Sequence, residues 1–366
     1  MKTLVLKIKQ VLSAIKGSRK VQFFLGIVFF LLIFLILFFS LAKKDKRIIF
    51  ENFFPEEKKE AQNKKGDSDV RLLDGVHVSQ EEANSRPYGI TIENHPDARP
   101  QSGLDKASLV IEALAEGGIP RFLAFFNQDV AVAEIGPVRS ARTYYLDWVS
   151  EIRPVYVHYG GETLTISQIP KYGILDINGM YLSGQYFWRA NYSPAPHNAY
   201  TSSDRLAKVW EAFDWDKTAD FTAWEFKDDN PAIEGEIIEE IVYQFSPSYL
   251  FNVEYEYDSV SNDYLRSQAG KEHTDRVTQE QYRAKNVVVQ KTRYGIRDKE
   301  GHMGVETIGG GKAFVFLDGK VIKGFWRKNS REERTFFYDQ DWQPIKFNRG
   351  ATWVAVLPEE QGVEYK

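Results

Sequence analysis

The chain has 366 residues, with 47 Lys and Arg against 51 Asp and Glu for a net charge of -4, and it has no cysteine. That balance argues against nucleic acid as a partner. The missing thiols exclude a disulfide framework, a thiolate zinc site, a cysteine nucleophile and lipid attachment through an N-terminal cysteine.

Residues 1–20 carry Lys2, Lys7, Lys9, Lys16, Arg19 and Lys20 and read as a basic cytoplasmic tail. The next run, Val21 to Ala42, has no charged residue. As a helix it would be about 33 Å long, enough for a hydrocarbon core of about 30 Å. Ser40-Leu41-Ala42 has the small-x-small form of a cleavage site, but a signal h-region is shorter, at about 7–15 residues. The expectation is an uncleaved transmembrane helix, a single-pass signal anchor in the cell membrane, with the body extracytoplasmic. Lys43, Lys44, Lys46 and Arg47 make the far flank basic as well, so charge bias orients the span only weakly. Residues 43–72 alternate charges with few large apolar groups and read as a solvated stalk.

Residues 73–230 read as a mixed α/β module. "YGITIEN" ends as a strand in the turn "HPDARP", and "SLVIEALAEGG" has apolar runs compatible with helix or strand. "RFLAFFNQ" and "PVYVHYGG" are short apolar runs bounded by turn signals, as in buried strands. Between them "RTYYLDWVSEI" spaces Tyr145, Trp148 and Val149 as a helix does. "SSDRLAKVWEAF" predicts a second helix with Ser202 or Ser203 as N-cap. Strands interleaved with helices define the class.

The period changes near Asn230–Gly235. "NVEYEYD" alternates strictly, "NVVVQKTRY" follows, and "KAFVFLDGKVIKGFWRK" sets Asp318-Gly319 between two extended runs, a hairpin signal because both turn positions need positive φ. Residues 235–360 therefore read as a mainly antiparallel β module, separable from the first.

Candidate chemistry lies in three stretches of the α/β module. "GPVRSAR" holds Arg139, Ser140 and Arg142. A helix starting near Ser140 would add unpaired amides and a positive dipole end to two guanidinium forks, a combination suited to an anion. The competing reading pairs both arginines with internal carboxylates such as Glu112 or Glu116. "VHYGGET" places His158 at a strand end before Gly160 and Gly161, where α/β sheets hold ligands. The competing reading is a histidine satisfied by main-chain carbonyls. "APHNAYTS" places His197 and Asn198 in a proline-rich loop, where they either bind a ligand or only turn the chain. The six histidines show neither HxH nor HExxH spacing, so no metal site is expected. No phosphate loop, dinucleotide fingerprint or G-x-S-x-G elbow is present, so no cofactor is expected either.

Several of these segments together resemble the YerB-like bacterial envelope proteins, a two-module family of unknown function. "ARPQSGLDKASLVIEALAEGGIPRFLAFF", "IGPVRSAR", "VHYGG" and "APHNAYTS" are similar to its N-terminal module. "NVVVQ", "GKAFVFLDGKVIKGFWRKNS" and "GATWVAVLP" are similar to its companion, so the resemblance runs from about Pro87 to Pro358. It implies attachment at the outer face of the cytoplasmic membrane and a link to cell-wall synthesis proteins. Three departures stand out. An apolar anchor replaces the lipoprotein cysteine, Pro120 stands where threonine is expected, and Glu162 stands where serine is expected.

The expected function is a membrane-anchored binding or scaffold protein engaging an anionic envelope ligand or a cell-wall synthesis partner. The alternative is an envelope hydrolase or transferase using His158 with Glu116 or Glu162.

Overall fold

The computed structural model describes residues 70–231 and 236–366, which fall within one compact unit. The basic tail, the Val21–Ala42 span and nearly all of the stalk lie outside the described residues. Among the described residues no helix is long and apolar enough to cross a membrane.

The N-terminal segment contributes β1 (Tyr88–Glu93), β2 (Leu109–Leu114), β3 (Pro120–Phe126), β4 (Val155–His158) and β5 (Asp176–Asn178). Its helices are α1 (Gln80–Ala83), α2 (Tyr145–Ile152), α3 (Thr163–Gln168) and α4 (Ser203–Phe213). The main C-terminal strands are β6 (Glu240–Gln244), β7 (Asn252–Asp258), β8 (Asp263–Gln268), β9 (Asn286–Thr292), β10 (Gly309–Leu317), β11 (Lys320–Lys328), β12 (Phe336–Asp339), β13 (Thr352–Pro358) and β14 (Val363–Tyr365).

Ten strands form one mixed sheet in the order β12-β11-β10-β9-β13-β2-β3-β1-β4-β5. The two sequence segments thus share a sheet, joined where β2 pairs in parallel with β13, Ile111 opposite Val354. The "SLVIEALAEGG" run forms a strand, and its six residues in β2 are all buried. Both faces of the central strands are covered, so they read as continuous apolar runs rather than alternating ones. On one face Leu109, Ile111, Leu123 and Val354 pack with Trp148 and Val149 of α2. On the other, Val110, Phe122, Val287 and Trp353 pack with Leu206 and Trp210 of α4 and with β6–β8.

That second covering is an antiparallel sheet containing β8-β7-β6-β14. Its period-2 pattern arises because Val253, Tyr255 and Tyr257 are buried against the core while Glu254 and Glu256 point away. The strict alternation of β7 and β8 therefore marks strands covered on one face, whereas β9 and β13, also beyond residue 230, are buried throughout like β1 to β4.

Two local expectations are met in detail. Ser202 caps α4, its hydroxyl accepting from the Arg205 N–H at 3.3 Å. Asp318 (φ 56°) and Gly319 (φ 70°) form the two-residue turn between β10 and β11, with Leu317 opposite Lys320. Unlike most hairpin tips this one is buried: Asp318 accepts from Asn262 at 2.9 Å and Asn348 at 2.7 Å.

Candidate functional site at the strand ends

Because β1, β4 and β5 run parallel and β3 runs against them, Glu93, His158, Asn178 and Arg121 gather at one end of the sheet. This is where open α/β sheets bind ligands. "GPVRSAR" crosses that end in extended conformation, Val138 bridging to Ile92 and Ala141 to Gly161. No helix starts at Ser140, because α2 begins only at Tyr145. The expected helix dipole is therefore absent from the arginine pair. Gly136 makes the crossing possible, since a Cβ there would stand 2.8 Å from the Ala199 carbonyl oxygen.

Arg142 answers to an internal partner. Its Nε donates to both oxygens of Glu116 at 2.8 and 2.9 Å, and Nη2 donates to Oε2 at 2.5 Å. Burial alone would raise the Glu116 carboxyl, but this fork outweighs it and holds the group down to about 2. Arg139 pairs instead with Glu93, through its Nε and Oε2. Glu112, the other carboxylate weighed for these arginines, is committed elsewhere, to Arg266 and Asn94.

Glu93 is the hub of the site and is only 1% exposed. Arg139 and His197 Nδ1 (3.3 Å) share its Oε2, and Arg121 Nε stands 3.8 Å from Oε1. That last distance exceeds a hydrogen bond. Arg121 is directly opposite Glu93 in the β1–β3 register and its side chain is only 9% exposed. Even so, its Nε and Nη1 have no hydrogen-bond partner among the described residues. The guanidinium charges of Arg121, Arg142 and Arg189 all bear on Arg139, whose pKa is lowered by burial and then by these neighbours against the pull of Glu93. Arg139 and Arg142 are thus paired with Glu93 and Glu116, while Arg121 and Arg189 add further positive charge beside Arg139.

Both ring nitrogens of His158 are engaged within the fold. Its side chain is fully buried, with Nδ1 2.8 Å from the Gly160 carbonyl oxygen and Nε2 3.1 Å from Asp176 Oδ2. The carboxylates paired with it in the enzyme alternative are both elsewhere. Glu116 is held by Arg142, and Glu162 by Arg297 and Thr165. Glu162 thereby ties the glycine turn to the C-terminal segment.

Ser140, Gly160 and Gly161 line a separate open cleft of about 360 Å³ with Tyr159, Ile166, Asn178, Met180 and Tyr181. Asn178 holds the turn by accepting from the Gly160 and Met180 amides, each at 3.0 Å. Asn198 serves its own loop: Oδ1 accepts from Arg189 at 2.8 Å and Nδ2 donates to the Ala190 carbonyl at 3.0 Å. The structure therefore brings Arg139, Arg142, His197 and Glu116 to one basic cluster. His158 and Asn198 are supports, and the glycines with Ser140 form the neighbouring cleft.

Sequence reasoning missed Glu93 and Arg121. The signal was present in each case, as a charged residue closing or opening an otherwise apolar strand, "GITIE" and "PRFLAFF".

A mixed sheet shared by two sequence segments, with a basic cluster outside its strand ends, defines the class of protein. Residues 73–216 match the N-terminal domain, and residues 241–354 the C-terminal domain, of the family described as "Protein of unknown function (DUF3048)". The chain belongs to this two-module, YerB-like family. It is similar to the Bacillus subtilis (strain 168) protein named "Putative lipoprotein YerB", with 35% identity over 295 residues, 78% of this chain and 86% of that protein. Its structure is similar to the crystal structure of YerB from Bacillus subtilis, with a TM-score of 0.73 and 32% identity over 81% of this chain and 99% of that one.

Proposed function

We propose that this is a membrane-anchored extracytoplasmic binding or scaffold protein of the bacterial cell envelope, engaging an anionic cell-wall component at the Glu93–Arg121–Arg139 cluster. The observation that carries the reading is Arg121, a buried guanidinium with two donor atoms unpartnered beside an excess of positive charge. A buried charge without partners is costly, and an incoming carboxylate or phosphate would supply what Glu93 is too distant to give. Membrane attachment is supported by the name of the relative, "Putative lipoprotein YerB". In this chain, which lacks cysteine, the apolar run Val21–Ala42 takes the place of the lipid. The occupied nitrogens of His158 favour binding over catalysis.

The test is calorimetric titration of the full-length protein in detergent with soluble muropeptides, which carry carboxylates, and with polyol-phosphate fragments. Saturable, salt-sensitive binding is expected, weakened by Arg139→Lys because lysine keeps the charge but loses the fork. Absence of saturable binding by either fragment at low ionic strength would refute the site. Protease added to spheroplasts should digest the body and leave a protected N-terminal fragment, and a mature N-terminus at Lys43 would refute the anchor.

A further inference from the structure

We infer a divalent-metal site of the zinc class at His95, Asp97 and His197, an assignment independent of the anion reading. Sequence spacing gave no hint of it, because the fold alone brings the "HPDARP" turn beside the "APHNAYTS" loop. The two imidazole rings stack with centroids 4.5 Å apart and planes 19° from parallel. One ligand atom from each of the three residues lies within 4.8 Å of the others.

The donor spacing suits an ion. His95 Nδ1 and Asp97 Oδ2 are 3.6 Å apart. That is too long for a hydrogen bond, but near the spacing of two donors each about 2.0–2.2 Å from one ion in a tetrahedral or slightly opened arrangement. The Asp97 N–H donates to His95 Nδ1 at 3.2 Å, a long hydrogen bond that an ion at Nδ1 would displace. His197 Nδ1 faces the buried Glu93 carboxylate. A carboxylate acceptor fixes the proton on that nitrogen and leaves Nε2 to ligate, as behind zinc-bound histidines.

The local charge also permits it. Arg139, which shares Glu93 with His197, is balanced by that carboxylate. Asp97 has no lysine or arginine partner among the described residues, its one ion contact being His95. A second three-donor group, Glu162, Asp298 and His302, differs on this point. Arg297 already sits among its carboxylates, contacting Glu162 and lying 2.9 Å from Asp298. Two imidazoles and one carboxylate select zinc or cobalt over magnesium or calcium. Asp97 is 62% exposed, so an ion can enter from solvent and keep an open coordination position.

The experiment uses full-length protein in detergent, stripped with a chelator, dialysed, and titrated with Zn²⁺ by calorimetry and with Co²⁺ by visible absorption. One ion per chain is expected, with the d–d bands of a low-symmetry nitrogen–oxygen site. His95→Gln and His197→Gln should each weaken Zn²⁺ binding by about tenfold or more. Asp97→Asn should do the same, and being a surface change it keeps the test independent of folding. Glu162→Gln should leave binding unchanged. The site is overturned if folded wild-type protein takes up neither ion saturably. It is equally overturned if His95→Gln and Asp97→Asn bind like wild type, or if Glu162→Gln abolishes uptake. Anion titrations on the metal-free protein separate this outcome from failure of the anion site.

Discussion

Glu112 of β2 and Arg266 of β8, 154 residues apart, meet in the interior with Nη2 donating to Oε2 at 2.9 Å and side chains 2% and 0% exposed. The pair joins the N-terminal segment to the sheet that covers it. Arg266 also donates from Nε to His273 Nδ1 at 3.0 Å and from Nη1 to the Tyr255 hydroxyl at 3.0 Å. Glu112 accepts from Asn94 at 2.9 Å.

Removing one partner strands the other charge in the core. Arg266→Met should cost about 3–5 kcal/mol in urea unfolding, and the double variant Arg266→Met with Glu112→Leu should recover much of that. A second such tie links Glu151 of α2 to Lys328 and Arg334, each at 2.6 Å. A fragment from Glu236 to Lys366 would leave Arg266, Lys328 and Arg334 without these carboxylates and β13 without β2. It should therefore fail to reach native circular dichroism alone and recover it on mixing with the N-terminal segment. Cooperative unfolding of the isolated fragment would refute this.

His273 gives a pH dependence of defined sign. Burial first, and then the charges of Arg266 and Arg99, push its pKa well below the ordinary 6.5. Below pH 6.5 the unfolded chain takes up a proton that the folded one refuses, so stability is present above that pH and is lost as pH falls through it. The slope should approach about 1.4 kcal/mol per pH unit between pH 6 and 5. His273→Gln keeps an acceptor for Arg266 Nε and should flatten urea midpoints over that window. An unchanged slope would show that His273 is not responsible.

Arg142 and Arg139 should separate in their effects. Arg142→Ala leaves Glu116 partly buried and unpaired, and thermal melts should show a loss of about 1–3 kcal/mol. Because the fork holds Glu116 down to about 2, the stabilisation it gives is present above the unfolded carboxylate value and disappears as pH falls toward 2. The Arg142→Ala penalty should therefore shrink in acid. Arg139→Lys should change the melting temperature little and change anion binding more. The reverse pattern would make Arg139 the strut.

Gly319 should not accept a side chain. Its φ of 70° disfavours a β-branched residue, and a Cβ would lie 2.6 Å from the Tyr257 ring. Gly319→Val should cost about 1–3 kcal/mol from backbone strain alone, measured by chemical unfolding. A neutral result would mean the buried turn can rearrange.

The sequence by itself determined whatever depends on near neighbours. The period of "NVEYEYD", the Ser202 cap, the Asp318-Gly319 turn and the α2 and α4 helices are set by backbone sterics and side-chain spacing within a few residues. Family membership was legible from ordered motifs, and the basic cluster was half legible, through Arg139, Arg142, Glu116 and His197. Only the tertiary structure decided the rest. That "SLVIEALAEGG" forms a strand followed from burial on both faces, which erases the period that separates strand from helix. That Arg142 belongs to Glu116 and Arg139 to Glu93, and that His158 is enclosed, followed from strand register. Register is fixed by long-range pairing of β1 with β3 and β4, and no local pattern encodes it. The meeting of His95 with His197 has the same origin, because two loops far apart in sequence become neighbours only once the sheet sets their ends side by side.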